Sequence, residues 1–218
     1  MSLSLAIATV GVVIAYLLGS IPTGYLAGKW LQGIDIRDHG SGSTGATNVL
    51  RILGKKAGAG VLLFDAFKGA VSVLLVKLVF AHPEWVAMPE NYYDWMIMGA
   101  ALAAVLGHSK SIFLGFRGGK SVAISIGVLL VIKPIVALGT FTAFATVLAT
   151  SRVVSLSSIC GAIAVMVLMI LLQQPLPYIL FGVFASGYVI IRHRANIQRL
   201  FEGTEPKLGE KKFSQGNS

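Results

Sequence analysis

Long apolar blocks alternate with short polar segments along the 218 residues. Seven blocks can be delimited, at residues 3–28, 57–80, 92–107, 119–132, 134–150, 153–172 and 176–191. A helix of about 20 apolar residues crosses the ~30 Å hydrocarbon core of a bilayer. Only Lys133-Pro134 separates the fourth block from the fifth, so we expect a tight hairpin there. The pattern predicts an all-α, polytopic integral membrane protein with seven transmembrane helices.

Composition supports this prediction, since 55% of the residues are hydrophobic and only 12% are charged, against about a quarter charged in a typical soluble domain. A cleaved signal peptide begins with a basic region. No basic region precedes the first block, so we do not expect this block to be removed. The single cysteine, Cys160, lies in an apolar run. We interpret it as a small packing residue, and one cysteine excludes both a disulfide framework and a cysteine-based metal site.

The distribution of basic residues indicates the orientation. With seven spans and the N-terminus outside, the inner segments are 29–56, 108–120, 151–152 and 192–218. These segments, together with Lys68 near the inner end of the second span, contain 16 of the 18 Lys and Arg residues. Segments with such a Lys/Arg excess face the cytoplasm. The outer loop, 82–94, carries no Lys or Arg, and Trp85 and Trp95 flank it as expected interfacial anchors.

We therefore expect one transmembrane domain over residues 1–208, with a cytoplasmic C-terminus and a mobile cytoplasmic tail at 209–218. The net charge of +9 is first a signal of topology, and it could also hold anionic lipids or substrates near the cytoplasmic face. It gives no reason to invoke nucleic acid.

The first inner segment contains a glycine-rich stretch, Gly40 to Arg51. Glycines allow tight turns that bring backbone N–H groups close to an anion, and an arginine fork matches phosphate oxygens. Ser41, Gly42, Asn48 and Arg51 are therefore candidate phosphate-binding residues. A flexible loop that caps a helix is the structural alternative.

The second inner segment runs from Gly107-His108 to Gly118-Gly119-Lys120. Lys120 stands where a glycine turn enters a span, so it can contact phosphate or extend to the membrane interface. The segment has only three residues between Gly115 and Gly119, where a nucleotide-binding P-loop has four.

Three other parts of the chain carry candidate chemistry. Ser155 follows Ser151-Arg152 at a span entrance, where it can contact substrate or cap a helix. His193 and Asn196 are three residues apart and share a helix face. Nearby cations favour neutral His193, a possible proton acceptor, although this basic segment could also anchor anionic lipids. Asp65 and Lys68 can pair within the second span.

Together these segments resemble the acylphosphate-dependent glycerol-3-phosphate acyltransferases of bacteria, often called the PlsY family. The resemblance covers about residues 10 to 209. It lies in Gly19–Tyr25, Gly40–Arg51, Asp65–Gly69, Gly107-His108 with Gly118–Lys120, and His193–Arg199 followed by Gly203–Lys207. One position departs from the family pattern, since Ser43 stands where the family commonly has Asn.

The resemblance implies a seven-helix membrane enzyme with its N-terminus outside, in the bacterial plasma (inner) membrane, and its active site at the cytoplasmic face. It implies transfer of a fatty acyl group from acyl phosphate to the 1-hydroxyl of glycerol-3-phosphate, giving lysophosphatidate and phosphate. The implied partners are these two substrates and membrane lipids. His193 and Asn196 are the expected catalytic residues. The expected substrate-binding residues are Ser41, Gly42, Asn48, Arg51, His108, Gly118, Gly119, Lys120 and Ser155.

The chemistry fits these residue types. Acyl phosphate is already activated, so positioning, charge neutralisation and removal of one proton suffice, and we expect no metal or cofactor. Acyltransferases that use acyl-CoA or acyl carrier protein often have Asp five positions after His. The corresponding positions here are Thr44, Ala87, Phe113 and Gln198. We expect direct transfer without an acyl-enzyme; the main alternative to an enzyme is a small-anion or organophosphate transporter.

Overall fold

The computed structural model describes residues 2–82, 86 and 89–210. Within these ranges the chain forms helices and no β-strand, which confirms the all-α prediction. Ten α-helices follow one another: α1 Ser2–Ser20, α2 Thr23–Gln32, α3 Ala46–Leu53, α4 Lys55–Phe80, α5 Tyr93–Ser109, α6 Val122–Ile132, α7 Pro134–Ser151, α8 Val154–Leu171, α9 Leu176–Arg192 and α10 Arg194–Phe201. The predicted anchor Trp85 and most of the predicted tail lie outside the described residues.

Each predicted span contains a helix, but the helices differ in length. Four helical runs are long and apolar enough to cross a bilayer, namely Ser4–Gln32, α4, α7 and α8. A fifth is added if α9 and α10, whose axes are bent by 59° relative to one another, form one span. The 11 residues of α6 extend about 17 Å at 1.5 Å per residue, well short of the hydrocarbon core. The seven-span count therefore remains a prediction.

The first predicted span is interrupted near its inner end. Pro22 lacks an N–H and separates α1 from α2. The Ile21 carbonyl at this break accepts a hydrogen bond from Lys68 Nζ at 2.7 Å. Lys68 also lies 2.9 Å from Asp65 Oδ1, which accepts a hydrogen bond from Thr23 as well. The intramembrane ion pair predicted from the sequence therefore also ties α4 to the break between α1 and α2.

Glycines allow the helices to approach closely. A Cβ atom at Gly127 of α6 would overlap the Ala66 carbonyl of α4, and one at Gly69 of α4 would overlap the Ile124 carbonyl of α6. Gly19 of α1 meets the backbone of α5 in the same way. Since lipid supplies no hydrophobic driving force between helices, such close packing stabilises membrane bundles.

The apolar side chains are divided between a core and the outer surface. The largest core cluster includes Leu129, Met169 and Phe181, all fully buried. Leu63 and Leu171 are each 70% exposed on the outside of the bundle, as expected for side chains that face lipid. The connection between α6 and α7 is the single residue Lys133, followed by Pro134 at the helix start, so the expected tight connection is confirmed.

Candidate functional site

Several of the polar segments meet at one cavity of about 110 Å³ at one end of the bundle. Eight of the predicted site residues line it: Ser41, Asn48, Arg51, His108, Lys120, Ser155, His193 and Asn196. They come from a loop, α3, α5, the segment before α6, α8, the bend after α9, and α10. Motifs that are distant in the sequence therefore converge on one cavity.

Asn48 organises the glycine-rich loop. Its amide Nδ2 donates to the carbonyls of Ile36, His39 and Ser43 at 3.2, 3.0 and 2.9 Å. Its Oδ1 accepts from the Ser41 backbone N–H at 2.9 Å. Both polar atoms of the Asn48 side chain are thus engaged with the backbone, and the side chain is 1% exposed. Asn48 holds the loop in place around the cavity.

Ser43, where the family commonly has Asn, takes part in the same loop. Its Oγ accepts a hydrogen bond from the backbone N–H of Gly45 at 3.2 Å. A serine or asparagine side chain can make such a local turn contact. Ser43 also lines the cavity, so the substitution retains a polar group at this position.

A chain of hydrogen bonds positions the cation of Lys120. Lys120 Nζ donates to Asn196 Oδ1, and Asn196 Nδ2 donates to Glu205 Oε1 at 2.6 Å. The same oxygen accepts from Ser155 Oγ at 2.8 Å, and Arg199 Nε donates to Glu205 Oε2 at 2.7 Å. The amide therefore contacts a cation through its oxygen and an anion through its nitrogen, which fixes its orientation.

The imidazole of His193 is oriented by the backbone. His193 lies past the end of α9 and is 3% exposed, and its Nδ1 lies 2.8 Å from the Val189 carbonyl. Because a carbonyl only accepts, Nδ1 carries the proton, and Nε2 of the neutral ring is left as an acceptor. Burial lowers the pKa of His193 to about 4, so the ring is neutral at pH 7.

His108 and Gly119 form part of one cavity wall. The Gly119 N–H donates to the His108 carbonyl at 3.2 Å, and a Cβ atom at Gly119 would overlap the His108 ring. On its other side His108 Nδ1 lies 3.4 Å from Asp65 Oδ1. Asp65 and His108 both line the cavity. Because a side chain at position 119 would overlap the His108 ring, this wall requires a glycine there.

Three predicted residues lie elsewhere. Gly119 is buried under the His108 ring and does not line the cavity. Gly42 and Gly118 line a neighbouring cavity together with Arg37 and Arg192. These glycines therefore lie outside the lining of the first cavity and shape the loops that form it, whereas the adjacent Ser41 and Lys120 line that cavity.

Glu205 lines the cavity with a carboxylate that we did not name as a site residue from the sequence. It follows α10 in the stretch Gly203–Lys207, and its contacts to α8 and α10 are made by a segment without regular secondary structure. The one feature of the sequence that could have indicated a role for Glu205 is that it lies in Gly203–Lys207, one of the motifs that carry the family resemblance. A carboxylate in a polar, solvent-facing segment gave no reason to expect burial.

The glycerol-3-phosphate acyltransferase family model matches residues 9–203. The glycerol-3-phosphate acyltransferase of Crocosphaera subtropica is 59% identical over 206 residues, covering 94% of this chain and 96% of the relative. That of Trichormus variabilis is 57% identical over 218 residues, covering 97% and 96%.

A solved structure is similar as well. The crystal structure of PlsY, an integral membrane glycerol 3-phosphate acyltransferase, in its glycerol 3-phosphate form has a TM-score of 0.83 and 37% identity. The match covers 93% of this chain and 96% of that one. The lysophosphatidic acid form gives a TM-score of 0.80 at 36% identity.

The contacts of Glu205 predict a pH-dependent stabilisation. Burial alone would raise the pKa of this carboxyl, but hydrogen bonds from Asn196, Ser155 and Arg199 outweigh it and lower the pKa below its ordinary value. A lowered pKa means that the carboxylate stabilises the fold fully above about pH 4.5 and that this contribution is lost as the pH falls through the folded-state pKa. We expect Glu205→Gln to lower the free energy of unfolding by about 1–3 kcal/mol at pH 7.

The measurement is unfolding in detergent at pH 7 and below pH 4, with Glu210→Gln as the control. Glu210 is exposed, so the control makes the same chemical change on the same segment and should stay within about 0.5 kcal/mol of the wild type. The difference between Glu205→Gln and the wild type should shrink at the lower pH. An equal difference at both pH values would contradict the assignment.

Proposed function

Because the chain belongs to the glycerol-3-phosphate acyltransferase family, we propose that it transfers a fatty acyl group from acyl phosphate to the 1-hydroxyl of glycerol-3-phosphate. The products are lysophosphatidate and inorganic phosphate, in the first acylation of phospholipid synthesis. The observation that carries the proposal is the single cavity in which Arg51, Lys120 and His193 come together. Since the family is one of enzymes, the transport alternative is set aside.

We assign phosphate binding to Arg51 and Lys120, with Ser41 and Ser155 as hydroxyl donors. Arg51 is exposed at the cavity mouth, where its guanidinium can bind phosphate in bidentate fashion. Burial lowers the pKa of Lys120 to about 8, with Arg51 among the nearby cations that add to this shift. Lys120 therefore still carries its charge at pH 7, and an arriving phosphate would stabilise that charged form.

The cavity also has an apolar side, which suits a fatty acyl chain. Its apolar lining residues are Leu62, Val122, Ala123, Phe144 and Val154. Leu62 is 49% exposed on α4, so this side is continuous with the outer, apolar surface of the bundle. An acyl phosphate could then place its phosphate at the cations while its chain extends along the bundle.

The catalytic step follows from the orientation of His193. Its unprotonated Nε2 removes the proton from the 1-hydroxyl as the hydroxyl oxygen attacks the acyl carbonyl carbon. The bond between the carbonyl carbon and the phosphate oxygen breaks, and phosphate leaves with the electron pair. Lys120 and Arg51 stabilise the charge that develops on the phosphate, and Asn196 positions Lys120.

This scheme transfers the acyl group directly and needs no acyl-enzyme, metal or cofactor, because the mixed anhydride is already activated. Asn48, Gly42, Gly118 and Gly119 shape the loops that bring donors to the substrates. His108, held between Asp65 and Gly119, forms the wall of the substrate site.

For the membrane arrangement we propose seven spans, with the N-terminus outside and the cavity at the cytoplasmic face of the bacterial inner membrane. Two features support it. The basic residues concentrate in the segments that surround the cavity. The shorter α5, α6 and α9 pack against the longer helices to form one bundle.

Donor specificity provides the first test of this proposal. Purified protein is incubated with glycerol-3-phosphate and either palmitoyl phosphate or palmitoyl-CoA, and lysophosphatidate is measured. We expect product only from the phosphate donor. Lys120→Ala and His193→Ala should lower turnover by about 10²-fold or more, as removal of charge stabilisation or of a general base does in other enzymes.

The control is Lys56→Ala, which removes an exposed cation at the start of α4 and should retain full activity. Product from palmitoyl-CoA alone would contradict the donor assignment. Full activity in both cavity variants would contradict the site assignment while leaving the reaction intact.

A second test uses the pKa of Lys120. Because this pKa is lowered to about 8, the side chain loses its proton and its charge as the pH rises through 8. We expect kcat/KM to fall in this range. In Lys120→Arg the guanidinium stays charged throughout, since arginine does not lose its proton in proteins. The alkaline decrease should therefore move to higher pH in any Arg variant that retains activity, and an unchanged decrease would show that another group titrates.

A further inference from the structure

A second cavity, of about 330 Å³, lies beside the proposed catalytic cavity. Its lining is polar and mostly cationic: Arg37, Asp38, Gly42, Lys110, Phe116, Arg117, Gly118 and Arg192. The proposed reaction uses none of these charged side chains. The volume falls in the range of sites for small ligands.

The charges around this second cavity are unbalanced. Arg37 is paired with Asp35, whose Oδ2 lies 2.6 Å from Arg37 Nη2. Lys110, Arg117 and Arg192 have no carboxylate within ion-pair distance among the described residues. Asp38 is the single acidic side chain in the lining. With Arg37 neutralised by Asp35, three unpaired cations face one carboxylate, which leaves two positive charges.

Arg192 is held in place by the glycine turn. Its Nη2 donates to the carbonyls of Gly118 and Gly119 at 3.3 and 3.2 Å. Its Nε is buried and has no hydrogen-bond partner among the residues that the structure describes. The guanidinium is thus fixed by the turn, and its positive charge lies in the cavity lining, where it favours an oxyanion.

The two cavities are lined by the same segments of the chain, and neighbouring residues of each segment line different cavities. Ser41 and Ser43 line the catalytic cavity while Gly42 between them lines the second. Lys120 and His193 likewise line the first cavity, and Gly118 and Arg192 line the second. The second cavity is therefore a separate concavity on the opposite side of these loops.

We propose that this second cavity binds a phosphate group, separately from the phosphates in the proposed reaction. A phosphate monoester carries about −1.5 to −2 charges at pH 7, which matches the two unbalanced positive charges. The phosphate can belong to a small soluble anion or to the headgroup of an anionic lipid. The inference concerns binding alone, so it stands or falls independently of the acyl donor and of the catalytic roles.

The test measures binding of radiolabelled orthophosphate to the full chain in a maltoside detergent, which contains no phosphate. Low ionic strength is used because salt screens exposed charges. The key variant is Lys110→Gln/Arg117→Gln, which removes two exposed cations and should weaken binding at the second cavity by about tenfold or more. Lys120→Gln, which changes only the catalytic cavity, should leave the second site intact.

The matched control is Lys55→Gln/Lys56→Gln. It removes the same net charge from two exposed positions that line neither cavity, and we expect wild-type binding. If the Lys110→Gln/Arg117→Gln variant binds as much phosphate as the wild type, the proposal is wrong. An equal loss in the control would also overturn it, because the effect would then reflect overall charge.

The source of the phosphate is distinguished by adding lipid. Phosphatidic acid is added to the detergent solution, with diacylglycerol, its uncharged counterpart, as the control. Displacement of orthophosphate from the second cavity by phosphatidic acid alone assigns the site to a lipid headgroup. Retention of orthophosphate assigns it to a soluble anion. Either result supports a phosphate site. Comparison of Lys110→Gln/Arg117→Gln with Lys120→Gln shows which of the two cavities holds the phosphate.

Discussion

The carboxylate of Glu205 joins the segment after α10 to α8 and, through Asn196, determines where the amide of the candidate site points. Asn196 then presents its oxygen to Lys120. Because the Glu205 side chain is only 3% exposed, each of its carboxylate oxygens needs a donor, and Ser155 and Arg199 supply donors besides Asn196. If this carboxylate were lost, a buried amide and a buried hydroxyl would lose their acceptor together.

The same network leaves the cavity short of negative charge. Of the two carboxylates that line the cavity, Glu205 is paired with Arg199 and Asp65 is paired with Lys68. Neither is free to neutralise Arg51, and burial disfavours the charged form of Lys120. An anion that enters the cavity would restore the balance, which supports the proposal that Arg51 and Lys120 bind phosphate. Neutral His193 adds no positive charge of its own and retains a lone pair for proton transfer.

The sequence predicted the features that depend on local pattern. Apolar blocks placed the helices, and glycines with cations marked the loops that surround the cavity. The break at Pro22 was not predicted, because hydropathy stays high across Ile21 and its neighbours and the stabilising contact comes from Lys68, distant in the chain. Glu205 was not assigned a role for a similar reason, since its burial depends on α8 and α10 folding against one another. Asn48 was predicted to bind substrate, but its hydrogen bonds to the surrounding loop were visible only in three dimensions.

The central claim is that one cavity holds the phosphate of glycerol-3-phosphate at fixed cations with its 1-hydroxyl beside His193. A crystal structure of this chain with glycerol-3-phosphate, grown in a lipid phase, tests it most directly. We expect phosphate oxygens within hydrogen-bond distance of Arg51 and Lys120, and a hydroxyl oxygen that faces His193 Nε2. Electron density for the ligand outside the cavity, or a 1-hydroxyl remote from His193, would contradict it.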